Sequence, residues 1–412
     1  MNGFRVYCLG FRVCSFSFVV FCFWLMVFGL NSCSEDKNET YEEVKTIDST
    51  AYFDSIYAPA RYSLDTFFTN RFLAEEFNGN VLFAEKGRIV FKKSYGFRSP
   101  EKKDSLREDD CFQLASVSKT VTSTAVLQLY EQGKLSLEDT IGKFIDSFPY
   151  PGITVHMLLC HRGGLSNYNY FADDHSQKSI PFTNDSVIAI LHKHHPKVYY
   201  QPDETFDYSN TGYVILASVV EKITGEKFQE YVRKNIFDVA GMKKSFIYSN
   251  TDTSCKNEKL CGYNSKCNLI ETHYQDGVVG DKGMYSTTGD LFLFDQALYS
   301  EKLLKQSTLK LAFTYWNNDR TEEGKDNYGY GWRLKQSFAG YEVVYHTGWW
   351  KGFRSYFIRN LTQQRTIILL DNIKRGKFMS IEELLNLFDR VTGSVSNLPL
   401  EMKPESDTIQ AG

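Results

Sequence analysis

The chain reads as an α/β protein of the α+β type: an antiparallel sheet built from both chain ends, flanked by helices, with an inserted mostly helical region. Three observations predict this. Strand-like runs stand near the start, at residues 81–84 and 89–91, in the apolar, turn-bounded form that strands take. From about residue 117 to 306 the apolar residues recur instead at helical spacing, as in 214–224 and 291–298, between polar loops. Strand-like runs return at 328–334, 341–346, 355–358 and 365–370, and a helical pattern closes at 380–391. Strands from the two ends bury their apolar faces most simply in one sheet, with the middle inserted. A 42% apolar share of 412 residues supplies a sizeable core. There is no internal repeat.

Taken in order, the N-terminus has the layout of an export signal. Arg5 and Arg12 precede an apolar run over 16–30 that is short for a membrane span. Leu30-Asn31-Ser32-Cys33 resembles the lipobox of bacterial lipoproteins, so residues 1–32 read as a lipoprotein signal peptide. Cys33 then reads as the lipid anchor, attaching an exported protein to a bacterial membrane. Two acyl chains would hold it stably where one would not; an uncleaved anchor helix is the alternative. Residues 33–60 read as a flexible tether, because 34–50 is polar and acid-rich. The folded domain is placed at 61–393. Residues 394–412, with Pro399 and Pro404, read as a disordered tail.

The domain opens with Leu64, Phe67, Phe68, Phe72 and Leu73 at amphipathic helical spacing. A hairpin follows, its two strands joined by Glu85-Lys86-Gly87-Arg88 with the glycine such turns favour. Formal charge is −3, and about −5 once the acid-free N-terminal segment is set aside, so no basic field exists for nucleic acid. Beyond Cys33 the cysteines are Cys111, Cys160, Cys255, Cys261 and Cys267. Export would permit one disulfide among the last three, leaving a thiol over, and unpaired cysteines are equally compatible. Their spacing fits no zinc pattern.

The chemistry lies in three short motifs. Ser116-Val117-Ser118-Lys119 leads into a helical run, and residues three apart on a helix share a face, so hydroxyl and amine meet there. An amine in a dry pocket with cationic neighbours can be neutral and take the serine proton. The helix N-terminus adds N–H groups suited to an oxyanion. Ser34-Glu35-Asp36-Lys37 and Ser307-Thr308-Leu309-Lys310 share the spacing, so context decides. Next comes Tyr208-Ser209-Asn210, whose phenol could relay a proton to a leaving group and whose amide could hold a substrate carbonyl. Tyr248-Ser249-Asn250 and Tyr315-Trp316-Asn317 repeat that pattern and read as loops. Third is His346-Thr347-Gly348-Trp349, where a glycine at a strand end lets a substrate backbone lie along the edge. The Trp349 N–H would there face the acyl oxygen together with that of Ser116.

In this order the motifs resemble those of the class C β-lactamase and D-alanyl-D-alanine peptidase superfamily, the β-lactamase/transpeptidase-like fold with its esterase relatives. The likeness runs from about residue 62 to 393. Subsidiary segments agree: Leu158-Leu159-Cys160-His161-Arg162-Gly163-Gly164-Leu165, Gly241-Met242, and Gly280-Asp281-Lys282-Gly283-Met284-Tyr285-Ser286-Thr287. The resemblance implies an acyl-enzyme mechanism with Ser116 as nucleophile, Lys119 and Tyr208 moving protons, and Asn210, His346, Thr347, Gly348 and Trp349 binding substrate. It implies no metal and no cofactor. His346 departs from the β-lactamase pattern, which has lysine there. Being mostly neutral near pH 7, it weakens carboxylate recognition unless Arg354 or Lys351 supplies the charge, and it favours esterase or D-aminopeptidase-like activity. Pro202-Asp203 stands where Pro-Gly is usual, which changes a turn.

Other signals count for less. His192-x-His194-His195 lacks a neighbouring acidic ligand and is followed by Pro196, so it reads as a solvated helix end. No Gly-x-Ser-x-Gly elbow, His-Glu-x-x-His or phosphate loop occurs. The expected partner is a peptide or small-molecule substrate. A serine hydrolase acting on an amide or ester leads. A β-lactamase or D-alanyl-D-alanine carboxypeptidase is the enzymatic rival, and a non-catalytic penicillin-binding-like sensor the rival of another class.

Overall fold

The computed structural model describes residues 49–176, 180–248, 259–317, 327–336 and 340–396. Cys33, the signal peptide, the Ser34 to Lys37 motif and Cys255 lie outside these residues.

Helix α1, Ser49–Leu73, opens the fold. It begins inside the stretch read as tether, and Phe53, Tyr57 and Ala60 are buried, so the domain starts earlier than residue 61. Pro59 lies in its interior on the exposed side. Leu73, counted in the apolar stripe, is 70% exposed. Strands β1, Gly79–Glu85, and β2, Arg88–Tyr95, form the expected hairpin. Lys86 and Gly87 both take positive φ, the geometry of a tight two-residue turn between right-twisting strands.

At the other end come β3, Asn327–Tyr328, β4, Arg333–Gln336, β5, Glu342–Trp350, β6, Phe353–Asn360, and β7, Arg365–Asp371. The run read as one strand over 328–334 is broken between β3 and β4, because Gly331 sits at φ +81 against the Lys119 main chain. All seven strands form one antiparallel sheet in the order β2-β1-β7-β6-β5-β4-β3, with Gly79 opposite Asp371 where the two chain ends meet.

Alternation then assigns the faces. Val81, Phe83, Ile358, Ile367 and Leu369 join α1 and the closing helix in one apolar cluster, while Leu82, Ala84, Phe357, Ile368 and Leu370 join the helical region in another. That closing helix spans Ile381–Ser396, running past the boundary placed at 393. Arg365 ties the ends: its Nε donates to Glu85 Oε1 at 2.7 Å and its Nη2 to Thr392 Oγ1 at 2.8 Å, while Tyr57 donates to the same Glu85.

The inserted region carries α2, Ser118–Glu131, α3, Tyr168–His175, α4, Asn184–His194, and α5, Asn210–Thr224. Val214, Ile215, Leu216, Val219 and Val220 make α5 almost wholly buried, so it serves as the axis of this region. The discounted histidines end α4, with His195 in the left-handed conformation beyond it and the His194 ring stacked on His175 at 4.0 Å. Cys261 and Cys267 are free thiols, not paired with each other, and Cys267 Sγ accepts from Arg375 Nη2 at 2.9 Å.

Candidate active site

Ser116 lies in a 3₁₀ turn, Ala115–Val117, that feeds directly into α2. Ala115 before it takes φ +48, a strained conformation for a residue with a Cβ, of the kind that lifts a side chain out of regular structure. Lys119 follows in the first turn of α2 and is buried. Its Nζ lies 3.2 Å from Ser116 Oγ and donates to Asn210 Oδ1 at 2.8 Å and to the Asp281 main-chain oxygen at 3.0 Å. A neutral amine has two N–H bonds and one lone pair. With both N–H groups taken by Asn210 and Asp281, the lone pair is left to face the serine hydroxyl. The competing motif at Ser307 to Lys310 lies in the helix Gln306–Ala312, where Ser307 and Lys310 are both exposed.

Asn210 begins α5, and its amide donates to Asn169 Oδ1 at 2.9 Å; Asn169 in turn donates to Gln275 at 2.9 Å. The carbonyl oxygen of Asn210 is thus turned toward Lys119. The Tyr208 ring lies 5.0 Å from Lys119 Nζ, centroid to nitrogen. It is fixed by rings: His161 at 4.3 Å and Tyr328 at 6.1 Å. Among the described residues the Tyr208 hydroxyl makes no hydrogen bond.

Gly348 closes the site from the sheet. A Cβ there would sit 2.2 Å from Leu114 O, 2.4 Å from Ser355 Oγ and 3.0 Å from Ser116 N, so only glycine lets β5 pass this close to the nucleophile. Strand β4 pairs with β5 only through Glu342 to Tyr345, which leaves His346 to Trp350 without a strand on that side among the described residues. Thr347 is half-buried, and Trp349 is 53% exposed with Lys374 Nζ 4.5 Å from its ring.

His346 is not a free substrate-binding group. It is buried; its Nε2 lies 2.9 Å from Tyr328 Oη and its Nδ1 2.7 Å from the Thr347 carbonyl, which can only accept. Nδ1 therefore carries the proton, and burial holds the imidazole pKa well below 6.5. Nor do the two cations considered for the missing lysine both remain available. Arg354 is buried and bonded to Asp371 at 2.6 Å, while Lys351 sits in the β5–β6 turn near the Trp350 ring. Arg333 was missed. Its guanidinium lies 5.5 Å from the Tyr208 ring centroid, is half-buried, and among the described residues makes no ion pair or hydrogen bond.

His161 stands in one of the subsidiary segments, which assigns it no role. It is buried, its Nδ1 accepts from Ser209 N at 3.2 Å, and desolvation keeps it neutral. Asp203 takes φ +64, the conformation glycine adopts without cost, and its ion pair with Arg162 holds the turn before Tyr208. Asn169, Tyr328 and Arg333 carried no motif; only the fold brings them in.

The family model described as Beta-lactamase matches residues 74–388. Penicillin-binding protein 4* of Bacillus subtilis (strain 168) is 34% identical over 329 residues, 76% of this chain and 72% of that protein. Among solved structures, the octameric penicillin-binding protein homologue from Pyrococcus abyssi superposes with a TM-score of 0.68 at 23% identity, covering 81% of this chain and 77% of that one. D-amino acid amidase from Ochrobactrum anthropi SV3 gives 0.65 at 20% identity, covering 83% and 99%. At these identities the two structures speak to the fold alone.

Proposed function

The chain belongs to the Beta-lactamase family and is a serine hydrolase, and from that premise we propose that it cleaves an amide or ester bond through an acyl-enzyme on Ser116. The substrate is a peptide or small ester met outside the cytoplasm, with the protein held at a membrane by Cys33. The observation that carries the mechanism is the position of the Lys119 amine, 3.2 Å from Ser116 Oγ and bonded also to Asn210 Oδ1 and the Asp281 main-chain oxygen; in its neutral form the direction left for the lone pair is Ser116. As Ser116 Oγ bonds to the substrate carbonyl carbon, its proton passes to Lys119. Tyr208 then delivers a proton to the departing nitrogen or oxygen. The N–H groups of Ser116 and Trp349 hold the oxyanion, and water releases the acyl group.

The test is mass spectrometry after exposure to p-nitrophenyl esters, D-amino-acid amides and a penicillin. An adduct is expected on Ser116 and none on Ser116→Ala, which should stay folded and lose turnover. Turnover surviving in that variant rejects the assignment. In fractionated cells the labelled protein should follow the membrane, and the soluble fraction for Cys33→Ala.

One observation favours a second reading, a carboxypeptidase or β-lactamase that takes substrates ending in a carboxylate. Arg333 sets over the Tyr208 ring a guanidinium that makes no ion pair among the described residues, and a planar fork of donors suits a carboxylate. The name of the 34% identical relative, a penicillin-binding protein, supports the same direction.

A further inference from the structure

A second lysine lies buried behind the first. Lys282 is 4% exposed, its Nζ donates to Tyr168 Oη and stands 3.6 Å from Asp281 Oδ1, and the Trp350 ring caps it at 5.1 Å. Tyr168 Oη in turn donates to Asp281 Oδ2 at 3.1 Å. Asp281 is the residue whose main-chain oxygen takes an N–H of Lys119. Its neighbour Gly280, at φ +102, is pressed against Tyr213 so closely that a Cβ would lie 2.4 Å from the Tyr213 oxygen, and its own carbonyl accepts from Thr122 of α2 at 2.7 Å. Residues 280–282 therefore bridge α2, α3 and α5, and their side chains decide where one of the two acceptors of the Lys119 amine stands.

We propose that Asp281, Lys282 and Tyr168 are positioning residues that keep the Lys119 amine aimed at Ser116 and ready to take its proton. The role rests on the acyl-enzyme reading above. Asp281 supplies the acceptor, Tyr168 and Lys282 lock its carboxylate, and Lys282, whose pKa burial lowers while Asp281 and Asp276 oppose the shift, makes the pocket inhospitable to a second positive charge when protonated. The charged and titratable groups facing Lys282 are Asp281, Asp276, Lys119 and Tyr168; Asp276 is itself bonded to Trp350 Nε1 at 2.8 Å. On its other side Lys119 faces Tyr208 and Tyr213, the two buried neutral imidazoles His161 and His346, and, past Tyr208, Arg333.

The sign of the effect follows. Lys282→Met removes a cation and leaves the Asp281 carboxylate, so a proton on Lys119 becomes easier to hold. Acylation of Ser116 by a chromogenic ester should then fall about tenfold at pH 7 with KM little changed, and recover at higher pH because the acid limb has moved up by about one unit. Tyr168→Phe, which keeps the ring and deletes the shared hydroxyl, should move the limb the same way by less, and it decides the matter if Lys282→Met does not fold. A profile parallel to wild type in the folded variant, whatever its height, overturns the proposal. The Nζ titration of Lys119, followed by NMR in ¹⁵N-lysine-labelled protein, reads the same shift without turnover. An unreactive Ser116 in wild type would sink the acyl-enzyme reading and the catalytic role with it, while a shifted Lys119 titration would still show that Lys282 sets the charge of that amine.

Discussion

A lysine at position 346 would bring an ammonium to the cleft; the imidazole there is neutral, sealed between Tyr328 and the Thr347 carbonyl. Arg333, one strand over and opposite Tyr345 in register, is placed to restore the charge. A charge-assisted hydrogen bond contributes about 1.5–3 kcal/mol. Arg333→Gln should therefore raise KM about 10- to 100-fold for a peptide with a free C-terminal carboxylate and leave a neutral ester almost untouched. Equal losses on both substrates would mean that the arginine only supports Tyr208. Ser116, Lys119, Tyr208 and Asn210 were legible because each sits in a motif of fixed local spacing. Arg333 and Tyr328 were not, since a cation and a phenol in a strand-like run have no signature until β4 is laid beside β5. The neutrality of His346 follows from its residue type, whereas its burial is a property of the neighbours.

At the scale of elements, the clearest departure is α1. The sequence reads its N-terminal half as part of a tether over 33–60, because 34–50 is polar and acid-rich. Yet the Phe53 and Tyr57 rings meet at 4.5 Å, tilted, in the apolar cluster on the outer face of the sheet, and Pro59 is tolerated on the solvent side, where a lost intrahelical bond can be met by water. Tyr57→Ala should cost about 3–5 kcal/mol in urea denaturation, the scale of a deleted buried aromatic. A change below about 0.5 kcal/mol, as expected of a tether position, would show that this half of α1 is not docked. The hairpin of β1 and β2 and the strands β5 to β7 were each legible, for alternation and a turn glycine are local signals. The break between β3 and β4 was not, because it answers to the Lys119 and Ser123 atoms that Gly331 must pass.

For the whole molecule, burying two imidazoles beside the site has a cost that depends on pH. Desolvation lowers the pKa of both His161 and His346 well below 6.5 in the folded state. Below about pH 6.5 the unfolded chain takes up two protons that the folded chain refuses, so their contribution is fully present above that pH and is lost as pH falls. Stability should drop by up to about 2.7 kcal/mol per pH unit below pH 6 from this pair, and His346→Gln should halve that slope in thermal melts between pH 4.5 and 6.5. An unchanged slope would mean that the ring is charged in the fold. Local pattern was sufficient for the sheet drawn from both chain ends, the helical insertion and the order of the three motifs, since periodicity and spacing act over a few residues. Which side chains face one another was decided only by packing: Asp281 against Lys119, Lys282 against Tyr168, Arg333 against Tyr208. These pairs are far apart along the chain, and the contacts that give each its chemistry exist only once the sheet and the inserted helices close on the same cleft.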